Sequence, residues 1–279
     1  LKCYVAKIKP INQKGGYLED SHFYFFQDKT MQFVAGLPQG VYVGQTQIAH
    51  EATIATEQST LQGFNLALHV GDEPKRVQQH RMALLNQLYA FGVHQMTWLN
   101  QTHSVLCHRV EDQPNLVVKE GDGLVTSTPS HALMMMTADC LPVVLGNANG
   151  TEVANLHAGW KGLAGGIIEN TVAAMHTKPT WAWLGAAISQ PCFEVGAEVK
   201  AAFCTKYPNL DTAFAAGKQA NKFYADLYAI AREILKQQGV TQVLGGDQCT
   251  YRQSEEYFSY RREAKTGRMA TFVFMQASP

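Results

Sequence analysis

The chain has 279 residues, of which 46% are hydrophobic and 16% charged, and its 23 basic and 23 acidic side chains give a formal net charge of zero. A chain of this length buries a sizeable core as one large domain or two small ones. Its charge balance gives no sign of a polyanion partner such as DNA or of a basic membrane-binding face, and no apolar run reaches the roughly 20 residues of a membrane span.

The N-terminal stretch LKCYVAKIKP lacks the basic, apolar and small-residue segments of a secretory signal, so a cytoplasmic protein is expected. Residues 1–36 carry short alternating runs (YVAKI, FYFF, MQFVAG) with NQKGG as a turn, and read as an N-terminal β extension. GVYVGQTQIA (40–49) continues the β pattern, and residues 57–64 are polar and loop-like. A helix is predicted over 74–91, with Asp72 as its cap, Pro74 in its first turn, Val77, Leu84, Leu85 and Leu88 inward, and Gly92 as the stop. QMTWL (95–99) reads as a strand ending at NQTHS. ALMMM (132–136), PVVLG (142–146) and EVANLH (152–157) read as core strands. A helix is expected over 165–176, a strand over 181–188, helices over 194–204 and 222–238, and closing strands at TQVLGG and TFVFM. Strands and helices alternate irregularly, without internal repeat or low-complexity linker. The pattern predicts one α/β (α+β) domain of layered, mixed sheets over 37–279.

Six cysteines, Cys3, Cys107, Cys140, Cys192, Cys204 and Cys249, are scattered with no CxxC pair, which points to reduced thiols. Cys140 stands apart. It lies between two predicted strands in TADCLPVVL, while His103 and His157 each end another, in WLNQTHS and VANLHAGW. Polar residues at strand ends collect into sites because the sheet holds their loops rigid. Two imidazoles and a thiolate suit Zn²⁺, and three protein ligands leave a position for water, the catalytic arrangement. The separations of 37 and 17 residues match no local zinc signature, and each residue alone also fits a structural role. The same three residues serve a Cys–His hydrolase, with Cys140 as nucleophile and either histidine as base. A blue-copper centre would add a methionine from Met134 to Met136, but no His-x-His pair supplies the further coppers of an oxidase. HAGWKGLAGGIIENTV runs through glycines into a helix, where backbone N–H groups and Lys161 suit an anion. GDG at 121–123 is most simply a turn, in which Asp122 could face the site. Arg261, Arg262, Lys265 and Arg268 cluster near the C-terminus and suit phosphate or carboxylate recognition.

The blocks GFNLALHVGDEP, NQTHS, GDGLVTS, MMMTADCLPVVL, NLHAGWKGLAGGIIENTV, GAAISQPCFEV and YRREAKTGR resemble, in this order, those of the laccase-domain (multicopper polyphenol oxidoreductase-like) family. The resemblance covers about residues 40–275. It implies a single α/β/β/α-type layered domain, similar to the cytotoxic-necrotizing-factor-like cysteine hydrolase fold. It also implies a His103–Cys140–His157 site binding Zn²⁺, or Cu²⁺ in some preparations. The implied activity is phosphorolysis of adenosine, inosine or 5′-methylthioadenosine, with adenosine deamination beside it. The partners are then a purine nucleoside and phosphate, and the protein a monomer or homodimer. Asn65, Asp139, Lys161, Arg261 and Arg262 become candidates for substrate or phosphate contacts, and Asp139 for the acid that serves the leaving base. The chain departs from the family where a Thr-Arg-x-Gly-Gly-Val-Ser block is usual: QIAHEATIATEQST stands there, with His50 near the Arg position. Three other readings share these residues: an amidase editing peptidoglycan precursors with Cys140 as nucleophile, a copper-dependent polyphenol oxidase, and a nucleoside-binding member without turnover.

Overall fold

The computed structural model describes residues 23–25, 31–49, 53–57, 61–111 and 117–277. The YVAKI and NQKGG readings and His50 fall outside the described residues. In chain order the strands are β1 (Phe23–Phe25), β2 (Met31–Val34), β3 (Val41–Thr46), β4 (Gln95–Thr97), β5 (Cys107–Val110), β6 (Gly123–Thr126), β7 (His131–Thr137), β8 (Leu141–Gly146), β9 (Val153–Ala158), β10 (Trp181–Leu184), β11 (Glu194–Gly196), β12 (Phe214–Ala216), β13 (Lys222–Ala225), β14 (Gln242–Gly245) and β15 (Met269–Met275). The α-helices are α1 (Pro74–Tyr89), α2 (Trp160–Gly165), α3 (Ile167–Ala174), α4 (Ala197–Cys204) and α5 (Leu227–Gln237).

Two six-stranded mixed sheets form the centre, in the orders β1-β2-β3-β15-β7-β4 and β14-β10-β8-β9-β6-β5, and a small sheet β11-β13-β12 stands beside them. Side chains on successive strand residues point to opposite faces. In β7 this sends Leu133 and Met135 one way and Ala132 and Met134 the other. Leu133 and Met135, with Val273 of β15, meet Val144, Val153 and Trp183 of the second sheet. Ala132 and Met134, with Phe272 and Phe274, meet Leu84 and Leu88 of α1. The outer face of the second sheet (Leu141, Val143, Leu156, Leu184) packs on Leu163, Ile167, Ile168, Ile230 and Ile234 of α2, α3 and α5. The layers therefore run helix, sheet, sheet, helices. β7, β8 and β9 are buried along their whole length because both faces of each are covered. β2 hydrogen-bonds to β3 on one side and β1 on the other, so residues 31–34 belong to the first sheet and β1 forms its edge.

Several local expectations change. Glu73, not Asp72, occupies the cap position of α1. Asp72 instead accepts hydrogen bonds from Glu73 N, Asn65 and Arg76. Leu85 is only half-buried, and Arg76 and His80 take inward positions. The helix expected over 165–176 is α3, and a further short helix, α2, precedes it, the two separated at Gly166, whose φ of 103° ends one and starts the next. The long helices expected at 194 and 222 each begin as a strand of the small sheet. Asp226 then caps α5 by accepting from Ala229 N at 3.0 Å. No helix among the described residues is long and apolar enough to cross a membrane.

Candidate active site

Both central sheets deliver residues to one point. The chain passes from the first sheet to the second twice, between β4 and β5 and between β7 and β8, and these crossings carry His103 and Cys140. His157 lies within β9, where Leu141 pairs with Ala158 and Pro142 with His157. That register sets Cys140, one residue before β8, against Gly159, one residue after β9. A Cβ on Gly159 would lie 2.9 Å from Cys140 Sγ and 3.1 Å from His103 Cδ2, so only glycine leaves room for the sulfur.

The donor atoms of His103, Cys140 and His157 all lie within 4.8 Å of one another. Cys140 Sγ is 3.8 Å from His103 Nε2, and the two imidazole rings meet edge to face at 4.7 Å. His157 is buried and His103 exposed to the cleft.

Asp122 organises the group. It is fully buried, and its carboxylate accepts from Thr102 N (3.2 Å), His103 N (3.1 Å), Ser104 N (2.6 Å), Ser104 Oγ (2.7 Å) and His157 Nδ1 (2.7 Å). The three backbone bonds hold the NQTHS turn, in which His103 adopts a φ of 58° that a side chain seldom takes. The bond to His157 fixes the tautomer: Nδ1 carries the proton toward Asp122 and Nε2 is left for the thiol side. Burial alone would raise the Asp122 carboxyl, but hydrogen bonds from His157 and Ser104 outweigh it and hold it at about 2.

Cys140 and His157 form a thiolate–imidazolium pair. Burial opposes the charge on each. The charge of His157 and hydrogen bonds from both histidines nevertheless bring the Cys140 thiol down to about 6. The Cys140 thiolate and Asp122 bring His157 up to about 9. Cys107 shows burial without such partners: its thiol is pushed up to about 11.

The donor set also fits a metal. Tetrahedral zinc with nitrogen at about 2.1 Å and sulfur at about 2.3 Å needs N···N and N···S separations of roughly 3.4 and 3.6 Å, and the 3.8 Å between Cys140 Sγ and His103 Nε2 lies within about 0.2 Å of the second. Asp122 behind His157 is the carboxylate support common to histidine ligands. Of the methionines a blue-copper arrangement would draw on, Met134 and Met135 point into cores on opposite faces of the first sheet, whereas Met136 lines the cleft and its sulfur takes a hydrogen bond from Arg81 at 3.6 Å.

The group opens into a cleft of about 490 Å³. Lys161 and Arg261 line it, with Trp160, Phe193, Ile188 and Tyr260 as apolar walls. The Arg261 guanidinium lies 5.4 Å from the centre of the Phe193 ring. Arg268, one of the basic cluster expected to recognise an anion, and His69, which the sequence did not mark, also face the cleft. Burial, then Arg268 and Arg81, hold His69 below its ordinary value. Arg268 stood within the basic cluster, and His69 within GFNLALHVGDEP, without a pattern to distinguish it.

Other candidates are placed differently. Asn65 is fully buried and outside the cleft lining. Its side chain donates to Asp72 and Ala67 O and accepts from Ala67 N and Arg268 N. Arg262 points away from the cleft lining and donates to Thr250 O, Tyr251 O and Tyr257 O. Asp139 lines the cleft at a φ of 89°, but its oxygens are taken by Thr250 Oγ1 and Arg261 N, each at 2.6 Å. Its carboxylate joins loops together.

Comparison with known proteins agrees with this frame. Purine nucleoside phosphorylase YfiH of Escherichia coli (strain K12) is 41% identical over 216 residues, 76% of this chain and 86% of that one. A purine nucleoside phosphorylase of Haemophilus influenzae is 39% identical over 221 residues, 76% of this chain and 87% of that one. Among solved structures, the Neisseria meningitidis protein NMB0706 superposes with a TM-score of 0.81 at 39% identity, covering 92% of this chain and all of that one. YlmD from Geobacillus stearothermophilus gives a TM-score of 0.80 at 25% identity, covering 92% of this chain and 99% of that one. Residues 50–276 match the family described as multi-copper polyphenol oxidoreductase laccase, and the chain belongs to that family.

Proposed function

We propose that the protein is a zinc-dependent purine nucleoside phosphorylase, with adenosine deamination as a second activity. The observation that carries this reading is the convergence of His103, Cys140 and His157 at the floor of a cleft with cationic and aromatic walls. The names of the relatives support the substrate class.

In phosphorolysis a phosphate oxygen attacks the ribose anomeric carbon, the glycosidic bond breaks, and the purine leaves with a proton. Lys161, Arg261 and Arg268 supply the positive charge that draws and orients phosphate. Trp160, Phe193 and Tyr260 supply flat apolar surface for the base and keep water from the anomeric carbon. With His103 on the zinc, the leaving base would take its proton from dihydrogen phosphate or from water in the cleft. His103, Cys140 and His157 would hold the zinc, which when bound acts as a Lewis acid on a substrate oxygen or lowers the pKa of water for deamination. Asp122 keeps His157 in the ligating tautomer.

A second reading has its own observation. Cys140, His157 and Asp122 stand in the order nucleophile, base and orienting acid, and the thiol is poised at about 6. The metal-free site therefore also suits a thiol amidase acting on an acyl–amine bond, such as one in a peptidoglycan precursor.

One assay separates the two. Metal-defined protein is incubated with adenosine, with and without phosphate, and adenine, ribose 1-phosphate and inosine are followed beside Cys140→Ala. Phosphate-dependent adenine that is lost in the variant supports phosphorolysis. Inosine alone reduces the reading to deamination. Absence of both, with amine release from a muramyl peptide by the metal-free protein, replaces it by the amidase.

A further inference from the structure

Outside the histidine–cysteine group, two more cysteines come together. Cys192 ends the short 3-10 turn Gln190–Cys192, and Cys249 forms a parallel bridge with Ala187. Their sulfurs are 4.0 Å apart although 57 residues separate them in the chain. We propose that Cys192 and Cys249 are a peroxide-reactive dithiol that oxidises to a disulfide and ties together two walls of the cleft.

The surroundings give the two sulfurs different parts. Cys249 is buried and held: its N–H donates to Gln253 Oε1 at 2.6 Å, and its sulfur accepts from Ser189 Oγ at 2.9 Å and Ser189 N at 3.5 Å. Burial pushes the Cys249 thiol up, but the Ser189 bonds and the backbone N–H groups of Arg252 and Tyr251 outweigh it and hold the thiol below its ordinary value. Cys107 and Cys204 are pushed upward instead, chiefly by burial. Cys192 is half-buried on a three-residue turn and is the partner with room to move. A disulfide of about 2.05 Å requires the sulfurs to approach by about 2 Å from their 4.0 Å separation.

The reaction balances with one peroxide. The Cys249 thiolate attacks a peroxide oxygen, the O–O bond breaks, and hydroxide leaves and takes a proton, giving a sulfenic acid on Cys249. Cys192 then attacks that sulfur. The S–S bond forms, the S–O bond breaks, and water leaves with the Cys192 proton. Two thiols and one hydrogen peroxide become one disulfide and two waters.

The position gives the bond its consequence. Ile188 and Phe193 on the first loop and Tyr260 and Arg261 beyond the second line the cleft. Thr250, next to Cys249, donates to Asp139, and Ile188 N donates to Asp139 O at 2.9 Å. Asp139 immediately precedes Cys140. Oxidation therefore draws in loops anchored on the residue beside the central thiol.

The test is a non-reducing peptide map of the full-length, zinc-loaded protein. It is treated with hydrogen peroxide at one equivalent, blocked with iodoacetamide and analysed by mass spectrometry. The expected product is a peptide pair joined through Cys192 and Cys249, lighter by two hydrogens and released by dithiothreitol. In Cys192→Ser, dimedone is expected to trap Cys249 as the sulfenic acid. The cross-link must also form in Cys140→Ser, which separates it from any chemistry of the central thiol, and the mass readout does not depend on the substrate. Recovery of both cysteines as alkylated thiols would overturn the proposal. So would Cys249 sulfinic acid beside a free Cys192, or a cross-link that needs Cys140.

Discussion

Replacing Gly159 by alanine isolates the geometry on which the site rests. The backbone at Gly159 has φ −64° and ψ 164°, an extended conformation open to any residue, so alanine brings no backbone strain. What it brings is a methyl group 2.9 Å from Cys140 Sγ and 3.1 Å from His103 Cδ2. Ordinary non-bonded contacts lie at about 3.5–4.0 Å, so the sulfur must retreat by more than about half an ångström. Overpacking of this kind costs roughly 1–3 kcal/mol. At roughly 2–4 °C of melting temperature per kcal/mol, the fold should survive with a fall of about 2–12 °C. A misplacement approaching 1 Å at a reacting group costs about 10²-fold in rate, so kcat/KM for phosphorolysis should fall by about that factor, with weaker zinc binding in a chelator competition. Gly162→Ala is the control. Its Cβ would come no closer than 3.4 Å to any neighbour and it lies within α2, so stability and rate should stay near wild type. Full activity and undiminished zinc affinity in Gly159→Ala would refute the placement of Cys140 Sγ as a working group.

Four more outcomes follow from the site. Asp122→Asn, which removes the carboxylate behind His157, should lower zinc affinity or activity by about 10–100-fold, read by metal competition and kcat/KM, and retention of both would deny Asp122 its orienting part. In metal-free protein, iodoacetamide should modify Cys140 with a pH midpoint of about 6 and leave Cys107, at about 11, unreacted at neutral pH; equal rates at the two would contradict the ion pair. Asp122 is held below its unfolded value, so its contribution to stability is present above about pH 4 and is lost as pH falls toward 2; acid unfolding of Asp122→Asn should lack this step. Zinc binding to the metal-free protein near pH 7.5 should release about one proton, that of His157, since Cys140 is already a thiolate; titration calorimetry in buffers of different ionisation heat measures it, and uptake or release near zero would exclude the imidazolium.

Much of the scaffold is legible in the residues. The apolar runs of β7, β8, β9 and β15 announce buried strands because both faces are covered, and the 3.6-residue spacing of Val77, Leu84 and Leu88 announces α1. Short elements were hidden. β11 and β13 have three and four residues and run directly into helix or cap, so their pattern merges with the helix behind them. The strand character of β6 was masked by GDG, read as a turn. Within the site, the three donors show as polar residues ending apolar runs, but nothing local reveals that two crossings between sheets unite them. Asp122 showed as a turn residue that could face the site, but its organising part was hidden, since its five hydrogen bonds come from residues up to 35 positions away. Asn65 and Arg262 drew attention by type and neighbourhood, yet the loops around them use all their polar contacts shown here.

The two crossings between the central sheets have a consequence for how the site tolerates change. His103 and Cys140 stand where the chain leaves the first sheet, whereas His157 belongs to the second. The distances among them therefore gauge the spacing and alignment of two separately hydrogen-bonded layers. Leu133, Met135, Val144 and Trp183, none of which lines the cleft, set that spacing from the interior. A change of volume among them slides one layer against the other and alters the bite of the donor group. Selection on activity thus reaches into the core between the sheets, and the chemistry is tuned as much by hydrocarbon as by the polar residues on display.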